Sequence, residues 1–144
     1  MRLTAFTDYG LRALMRLASE PDRVFTTDAI ALEFKISRNH LLKVVRELSQ
    51  AGFVTTHRGT GGGLQLARSA ESISIGAVVR SLEARQALVE CFREDGGNCI
   101  LTPQCRLKLR LSTARKAFLA ELDKTSLADC AYPDPRRARL AKSV

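Results

Sequence analysis

Three cysteines lie in one stretch of the chain that shows no regular apolar period. Cys91, Cys99 and Cys105 are separated by seven and five residues. Zinc sites usually place roughly two to four residues between paired cysteines, because both ligands must reach one small ion. An iron–sulfur cluster is larger and prefers thiolate ligands, so this spacing favours a cluster. Zinc, a thiol switch and chemically inert cysteines remain alternatives. A cluster would need a fourth ligand from Cys130, a carboxylate, a small molecule or a second subunit.

The composition limits the kinds of protein that this chain can form. Its 144 residues suit one domain with an appended helix or tail, and 45% hydrophobic residues are enough for a core. No apolar run approaches the roughly 20 residues of a bilayer span, and the first residues are too polar for a signal peptide. We therefore expect a cytoplasmic protein without a membrane partner, whose cysteines serve as ligands or redox groups.

The positive charge is unevenly distributed along the chain. The net charge is +8, from 23 basic and 15 acidic residues. Residues 1–68 carry 10 basic and 6 acidic side chains, a net of +4. Residues 69–105 carry 3 and 5, a net of −2, and residues 106–144 carry 10 and 4, a net of +6. Basic segments on both sides of an acidic cysteine loop predict an anionic partner.

The first half of the chain predicts three helices. Thr7 is a candidate N-cap for the first helix, which closes at Pro21, and the second helix starts at Thr26–Thr27. The third helix is the clearest, because Ser37 is a candidate cap and Gly52 a stop signal. Its apolar residues recur at helical spacing: Leu41, Val44, Val45 and Leu48.

The apolar period changes to two after the third helix. Residues 53–56 and 63–66 therefore predict two short strands around a glycine-rich turn at 58–62. The turn lacks the Lys-Ser/Thr and the helix start of a nucleotide-binding loop. Three helices followed by a glycine-tipped hairpin predict a winged helix-turn-helix.

The second half predicts two more helices and a tail. One helix begins at Ser74, and a long helix runs from Arg106 with one apolar stripe. The stripe consists of Leu107, Leu111, Ala114, Phe118 and Leu122. A small winged domain is too short to cover this stripe, so we expect it to pair with a second copy of the chain. The tail from Cys130 has two prolines and a basic run, and we expect it to be mobile.

The polar face of the third helix is suited to reading DNA. A recognition helix reads bases with the side chains of its first turn, here Arg38, Asn39 and His40. Ser37 and Lys43 are more suitable for phosphates. At the wing, Arg58, Gly59 and Thr60 are candidate contacts, with Arg58 in a minor groove or on a phosphate. A merely solvated helix face is the alternative, but the wing and the basic charge favour DNA binding. His40 and His57 lack metal-ligand spacing.

These elements predict a mainly α fold: a winged helix-turn-helix with a β-hairpin wing, a cysteine loop and a long dimerisation helix. We divide the chain into a DNA-binding region at residues 1–68 and a connecting helix with the cluster loop at 69–105. The dimerisation helix follows at 106–125, and the basic tail at 126–144.

Several motifs together resemble a known group of regulators. The start MRLTAFTDYGLRAL, the helix from Ser37 to Gly52, the RGTGGG wing and the three-cysteine loop are similar to NsrR-type winged-helix repressors. These sense nitric oxide and belong to a larger group that includes the iron–sulfur regulator IscR. The resemblance covers roughly residues 1–125. It implies a homodimer crossed through the long helix, a palindromic operator, and one cluster per subunit whose reaction with nitric oxide lowers DNA affinity. A 4Fe–4S cluster is favoured over 2Fe–2S.

The resemblance also assigns roles to single residues. It implies that Cys91, Cys99 and Cys105 are cluster ligands and that Asp8 of the partner subunit supplies an oxygen ligand. Arg12, four residues after Asp8, would pair with it or orient it. IscR-type proteins carry a histidine shortly after the third cysteine, whereas this chain has Arg106-Leu107-Lys108. That departure favours the NsrR type. Cys130 matches no ligand position and is interpreted as a bystander.

Two other regulators fit the same motifs. One is a cluster-free thiol-switch regulator, in which the loop cysteines form a disulfide. The other is a regulator of iron–sulfur supply, which would use the cluster as a gauge of cofactor status. An enzyme is not expected, because the sequence has no catalytic triad, no paired carboxylates in a plausible pocket and no nucleotide loop.

Overall fold

The computed structural model describes residues 2–132 and has the expected mainly helical, winged helix-turn-helix architecture. Five α-helices and one antiparallel hairpin follow each other in these residues. They are α1 (Ala5–Ser19), α2 (Thr27–Phe34), α3 (Arg38–Gln50), β1 (Val54–His57), β2 (Gly63–Leu66), α4 (Ile75–Leu82) and α5 (Arg106–Asp123). Short 3₁₀ turns connect some of them. None of the helices described is long and apolar enough to span a membrane.

Three helices begin at side-chain caps. The hydroxyls of Thr4, Thr26 and Ser74 accept hydrogen bonds from backbone N–H groups three residues later, at 3.2, 3.1 and 3.0 Å. The prediction that Thr7 caps α1 is wrong, because Thr4 is the cap and Thr7 is fully buried inside the first turn. Ser37 holds the N-cap position of α3 as predicted, although its side chain makes no capping hydrogen bond.

The wing is tied to the segment before α2. Strand β1 pairs with β2 from Val54 opposite Leu66 to His57 opposite Gly63. On the other side of β2, Phe25 and Leu64 exchange two backbone hydrogen bonds of 2.9 and 2.7 Å. Gly63 is required here, because a Cβ at this position would overlap the Phe25 carbonyl. The hairpin is therefore held against the helix-turn-helix rather than projecting from a single hinge.

One apolar core joins the helices and the hairpin. Helix α1 packs against both α3 and α4, and its Leu14 is fully buried. Leu127, which follows α5, is also fully buried, and its N–H donates to the Ile73 carbonyl at 2.8 Å. The Tyr132 N–H donates to the Met15 carbonyl at 2.9 Å. Residues 126–132, which the predicted division of the chain placed in the basic tail, thus pack on the core, and the division itself stays a prediction. Residues 133–144, with the basic run, lie outside the described part.

Helix α5 divides into a packed half and an exposed half. Its second half packs on α4, where Arg80 forms an ion pair with Asp123 and Gly76 lies too close to Asp123 to carry a Cβ. Phe118 lies against the core, whereas Leu107 and Leu109 in the first half are 62% and 70% exposed. The C-terminal end of the predicted stripe thus packs in the core of its own chain, whereas Leu107 at the other end is not covered by any of residues 2–132.

Candidate nucleic-acid interface and cysteine loop

Helix α3 separates its apolar and polar faces cleanly. The apolar face is buried through Leu41, Val44, Val45 and Leu48. The predicted DNA contacts lie on the opposite, exposed face: Ser37, Arg38, Asn39, His40 and Lys43. The structure therefore brings these five residues together at one end of one helix, which is the arrangement that major-groove reading requires.

Two contacts already orient this face. Arg38 forms an exposed ion pair with Asp28, near the start of α2. The His40 ring lies 6.3 Å from the Tyr9 ring of α1, at an interplanar angle of 51°. If Arg38 reads DNA as predicted, it must exchange the Asp28 carboxylate for a base edge. Tyr9 brings α1 into contact with the first turn of α3. Sequence patterns indicated neither Asp28 nor Tyr9.

The turn between α2 and α3 contains a strained residue. Lys35 adopts the left-handed conformation, with φ 54° and ψ 44°, at the C-cap of α2. Glycine usually holds such a position, because a side chain there costs roughly 1–2 kcal/mol. The Ile36 N–H nevertheless donates to the Ala31 carbonyl at 2.9 Å, and the Ile36 side chain is buried. This turn fixes the angle at which α3 leaves α2.

Helices α1 and α2 are fastened by a buried cation. The Arg16 side chain is 3% exposed and donates to Glu33 at 3.0 Å and to Glu20 at 2.9 Å. Burial alone would lower the pKa of Arg16, but the hydrogen bonds to Glu20 and Glu33 outweigh it and raise the pKa. The hydrogen bond from Arg16 also lowers the pKa of Glu20. The guanidinium lies over the Phe25 ring, 4.7 Å from its centre.

The wing tip exposes the residues that were predicted to contact DNA. Arg58, Gly59 and Thr60 are all exposed. Gly59 and Gly61 have φ of 91° and 76°, which suits glycine, and the Gly62 N–H closes the turn on the Gly59 carbonyl at 2.9 Å. The wing and the first turn of α3 are therefore both free of cover within residues 2–132, and their contacts with DNA remain predictions.

The cysteine loop carries three free thiols. Cys91, Cys99 and Cys105 are all half-buried, and none forms a disulfide. The loop is held by local hydrogen bonds, including Asn98 N–H to the Glu90 carboxylate at 3.0 Å. Among residues 2–132 of one chain, no three histidine, cysteine or carboxylate side chains are placed together to hold a metal ion. The donor types fit an iron–sulfur cluster, but a single chain does not assemble them in this arrangement.

Asp8 and Arg12 form the pair that their spacing predicted. An Arg12 amino group lies 2.7 Å from the Asp8 carboxylate, and both side chains are 46% exposed. One turn of α1 thus presents an oriented carboxylate to the surface, where a second chain can reach it. The ligand role of Asp8 stays a prediction.

The buried carboxylate of Glu83, next to this turn, was not predicted from the sequence. Glu83, at the end of α4, is only 9% exposed and accepts hydrogen bonds from the Thr4 N–H and the Thr4 hydroxyl, both at 2.8 Å. The Thr7 hydroxyl donates to the same carboxylate oxygen. No sequence signal marks a contact between residues 76 or 79 positions apart. Glu83 fixes the start of α1, and with it the turn that bears Asp8.

A protein-family model decides the family. The model for Rrf2, described as an iron-dependent transcriptional regulator, matches residues 3–133. The chain belongs to the Rrf2 family. It is therefore a DNA-binding transcriptional regulator, and the family and fold are those of regulators rather than of a known enzyme class.

Several solved structures of other proteins share this fold. The oxidised form of Staphylococcus aureus CymR is 29% identical, with a TM-score of 0.71, and the match covers 93% of this chain and 99% of that one. CymR of B. subtilis, described as its global cysteine regulator, is 27% identical with a TM-score of 0.68, covering 91% and 96%. IscR of T. potens is 23% identical with a TM-score of 0.70, covering 100% and 89%, and it supports the fold alone.

Proposed function

We propose that this Rrf2 regulator is a homodimeric repressor whose iron–sulfur cluster senses nitric oxide. The observation that carries the proposal is the three-thiol loop placed directly before the exposed first half of α5, in a chain with an exposed reading face. Cys91, Cys99 and Cys105 would hold one cluster per subunit, with 4Fe–4S favoured. Asp8 of the partner subunit would supply the fourth ligand. The family's description as iron-dependent supports a metal-based signal.

Each exposed residue of α3 and the wing that was predicted to contact DNA has a role in this proposal. Arg38, Asn39 and His40 read base edges in the major groove. Ser37 and Lys43 hold phosphates, and the wing residues Arg58, Gly59 and Thr60 contact the flanking backbone or minor groove. Pairing through α5 would place two α3 helices about 34 Å apart on a palindromic operator. The exposed Leu107 and Leu109 support this pairing.

The coupling between the two sites runs through α1. When bound, an iron–sulfur cluster supplies iron sites with which nitric oxide reacts. Asp8 lies on the turn that Glu83 anchors, and its neighbour Tyr9 lies against His40 on the reading helix. On the same helix, Gly10 allows close packing on Leu82 and Val44. Release of Asp8 would break the bridge between the two chains, so the two reading helices would lose their spacing and operator affinity would fall by about 2–3 kcal/mol.

Anaerobic purification tests this function directly. We expect a brown protein containing iron and acid-labile sulfide, whose operator affinity falls when nitric oxide is titrated in. Asp8→Ala should keep operator binding but alter the cluster's stability or its rate of reaction with nitric oxide. Nitric oxide that bleaches the cluster without changing operator affinity would contradict the proposed coupling. If operator affinity changes with iron–sulfur supply but not with nitric oxide, the result would instead favour a regulator of iron–sulfur status.

A thiol switch is the second candidate. It is favoured by the three free thiols that are not gathered around a metal position in residues 2–132, and by the similarity to the oxidised form of CymR. Protein purified without oxygen would then lack iron and sulfide. Mild oxidation would change operator affinity in a way that a thiol reductant reverses.

A further inference from the structure

We infer that the tip of the cysteine loop, Ile100–Leu101, docks into a groove on the partner subunit between α1, α3 and α4. This inference rests on the proposed function, because it names the surface through which a change in the cysteine loop would alter the position of the reading helix α3. The occupant of the groove is a second copy of this chain.

The tip is an unusually exposed pair of apolar side chains. Ile100 is 92% exposed and Leu101 is 65% exposed. Of the eight large apolar side chains exposed in residues 2–132, four lie between positions 100 and 109, where Leu107 and Leu109 complete the set. Such a concentration marks an interaction surface rather than scattered exposure. The tip therefore extends, along the chain, the face that we propose for pairing through α5.

The groove has the shape and the apolar floor to receive such a tip. Its volume is about 930 Å³, and Phe6, Leu42 and Leu82 contribute its apolar surface. Leu42 is 39% exposed, although it lies on a helix whose other apolar residues are buried. The chain's own tip does not fill this groove, since Ile100 is almost fully exposed.

The charges of the groove and the loop are complementary. Lys43, Arg46 and Arg85 line the groove, against the single acid Glu47. The loop carries Glu90, Glu94 and Asp95 against one basic residue, Arg93. Opposite charges around an apolar contact select the partner surface and fix its register. An acidic loop with an apolar tip is thus the occupant that the groove is best suited to hold.

The position of the tip in the chain makes the contact a candidate regulatory device. Cys99 directly precedes Ile100, and Cys105 follows Leu101 by four residues. A change in the ligation or oxidation of these thiols would therefore move the tip. The groove includes Lys43 and Arg46 of α3. Movement of the tip would therefore act on the reading helix of the partner without passing through α1.

Photocrosslinking in isotope-mixed dimers tests the docking. The full-length protein carries p-benzoylphenylalanine at position 100, and light- and heavy-nitrogen chains are mixed so that crosslinks between chains are recognised by mass. We expect crosslinks between chains to peptides containing residues 42–47 or 81–86. The matched control places the same crosslinker at Leu32, which is 82% exposed on α2 and outside the groove and the tip. We expect no crosslink between chains from that position.

Variants of the groove, and a search for other molecules bound in it, complete the test. Leu42→Ser should lower the crosslinking yield about ten-fold, the effect of losing one buried apolar side chain. Arg46→Glu should also lower it, whereas Arg68→Glu, at an exposed position outside the groove, the tip and α5, should not. Crosslinks confined to one chain or to α5 would overturn the inference, as would a small molecule found in the groove by native mass spectrometry. Because the assay needs neither iron nor nitric oxide, it can fail while the sensing function stands, and the reverse also holds.

Discussion

The Thr7 hydroxyl donates to the buried carboxylate of Glu83, joining the first turn of α1 to the end of α4. The same carboxylate accepts both the backbone N–H and the hydroxyl of Thr4. Three donors on one oxygen leave little freedom in this corner of the fold. The relationship matters for function because the next residue in α1 is Asp8, the predicted ligand for the partner's loop.

Removal of the Glu83 carboxylate should destabilise the fold. In Glu83→Ala the buried Thr7 hydroxyl and the Thr4 N–H lose their acceptor, which should cost about 2–3 kcal/mol of unfolding free energy. Urea unfolding followed by circular dichroism measures this change. The matched control is Glu71→Ala, which removes an exposed carboxylate and should change stability by less than about 0.5 kcal/mol. Equal losses in the two variants would show that the Glu83 contacts do not stabilise the protein.

The helices and strands whose apolar residues recur with a regular local period could be predicted from the sequence. The apolar spacing of α3, the switch to a period of two and the glycine-rich turn located the reading helix and the wing to within a residue or two. The start of α1 was misplaced because Thr4 and Thr7 are equally good caps locally. The choice between them depends on Glu83, far away in the chain.

Long-range contacts explain the other differences. Residues 126–132 have no apolar period, yet Leu127 is buried, because its N–H donates to the Ile73 carbonyl and its side chain packs in the core. Lys35 in the left-handed region could not be foreseen, because its strain is held by the packing of Ile36. The cysteine spacing indicated a type of chemistry, but in residues 2–132 the three thiols are not placed together around a metal position.

Replacement of Lys35 by glycine should stabilise the protein. Glycine adopts the left-handed conformation without a Cβ penalty, and this gain exceeds its larger entropy loss on folding. We expect an increase of about 0.5 kcal/mol in unfolding free energy for Lys35→Gly. Lys35→Val, with a β-branched side chain in the same conformation, should be destabilising. Thermal unfolding of both variants beside the wild type measures the difference. A valine variant as stable as the wild type would show that Lys35 is not strained.

The Arg16–Glu20 pair predicts how stability depends on acid. The pKa of Glu20 is lower in the folded protein, mainly through the hydrogen bond from Arg16. Its stabilising effect is therefore complete above the pKa of an unfolded glutamate and is lost as the pH falls through the folded pKa. Glu20→Gln should lower stability at neutral pH by about 0.5 kcal/mol. Its stability should also change less than that of the wild type between about pH 5 and pH 3.

A control for this pH effect is available on α5. The control variant is Glu121→Gln, which removes a carboxylate that pairs with Lys124 while both side chains are at least 70% exposed. Urea midpoints measured across the acid range for the wild type and both variants provide the comparison. Parallel curves for wild type and Glu20→Gln would show that the Arg16 contact does not govern acid stability.

Arg38 and Lys43 should contribute to DNA binding in different ways. Arg38→Ala should lower operator affinity about ten-fold or more and relax sequence preference, because it removes a base contact. Lys43→Ala should weaken all DNA similarly and reduce the slope of log affinity against log salt by about one. Asp28→Asn should raise affinity, since Arg38 would no longer have to leave an ion pair.

Fluorescence anisotropy with operator and scrambled duplexes at several salt concentrations separates these effects. The charge-matched control is Lys116→Ala, which removes one exposed positive charge from α5 instead of α3. If Arg38→Ala and Lys43→Ala lower affinity equally on both duplexes, Arg38 acts as a phosphate contact rather than a base reader. The first turn of α3 would then position the protein on DNA, and sequence would have to be read by Asn39, His40 or the wing.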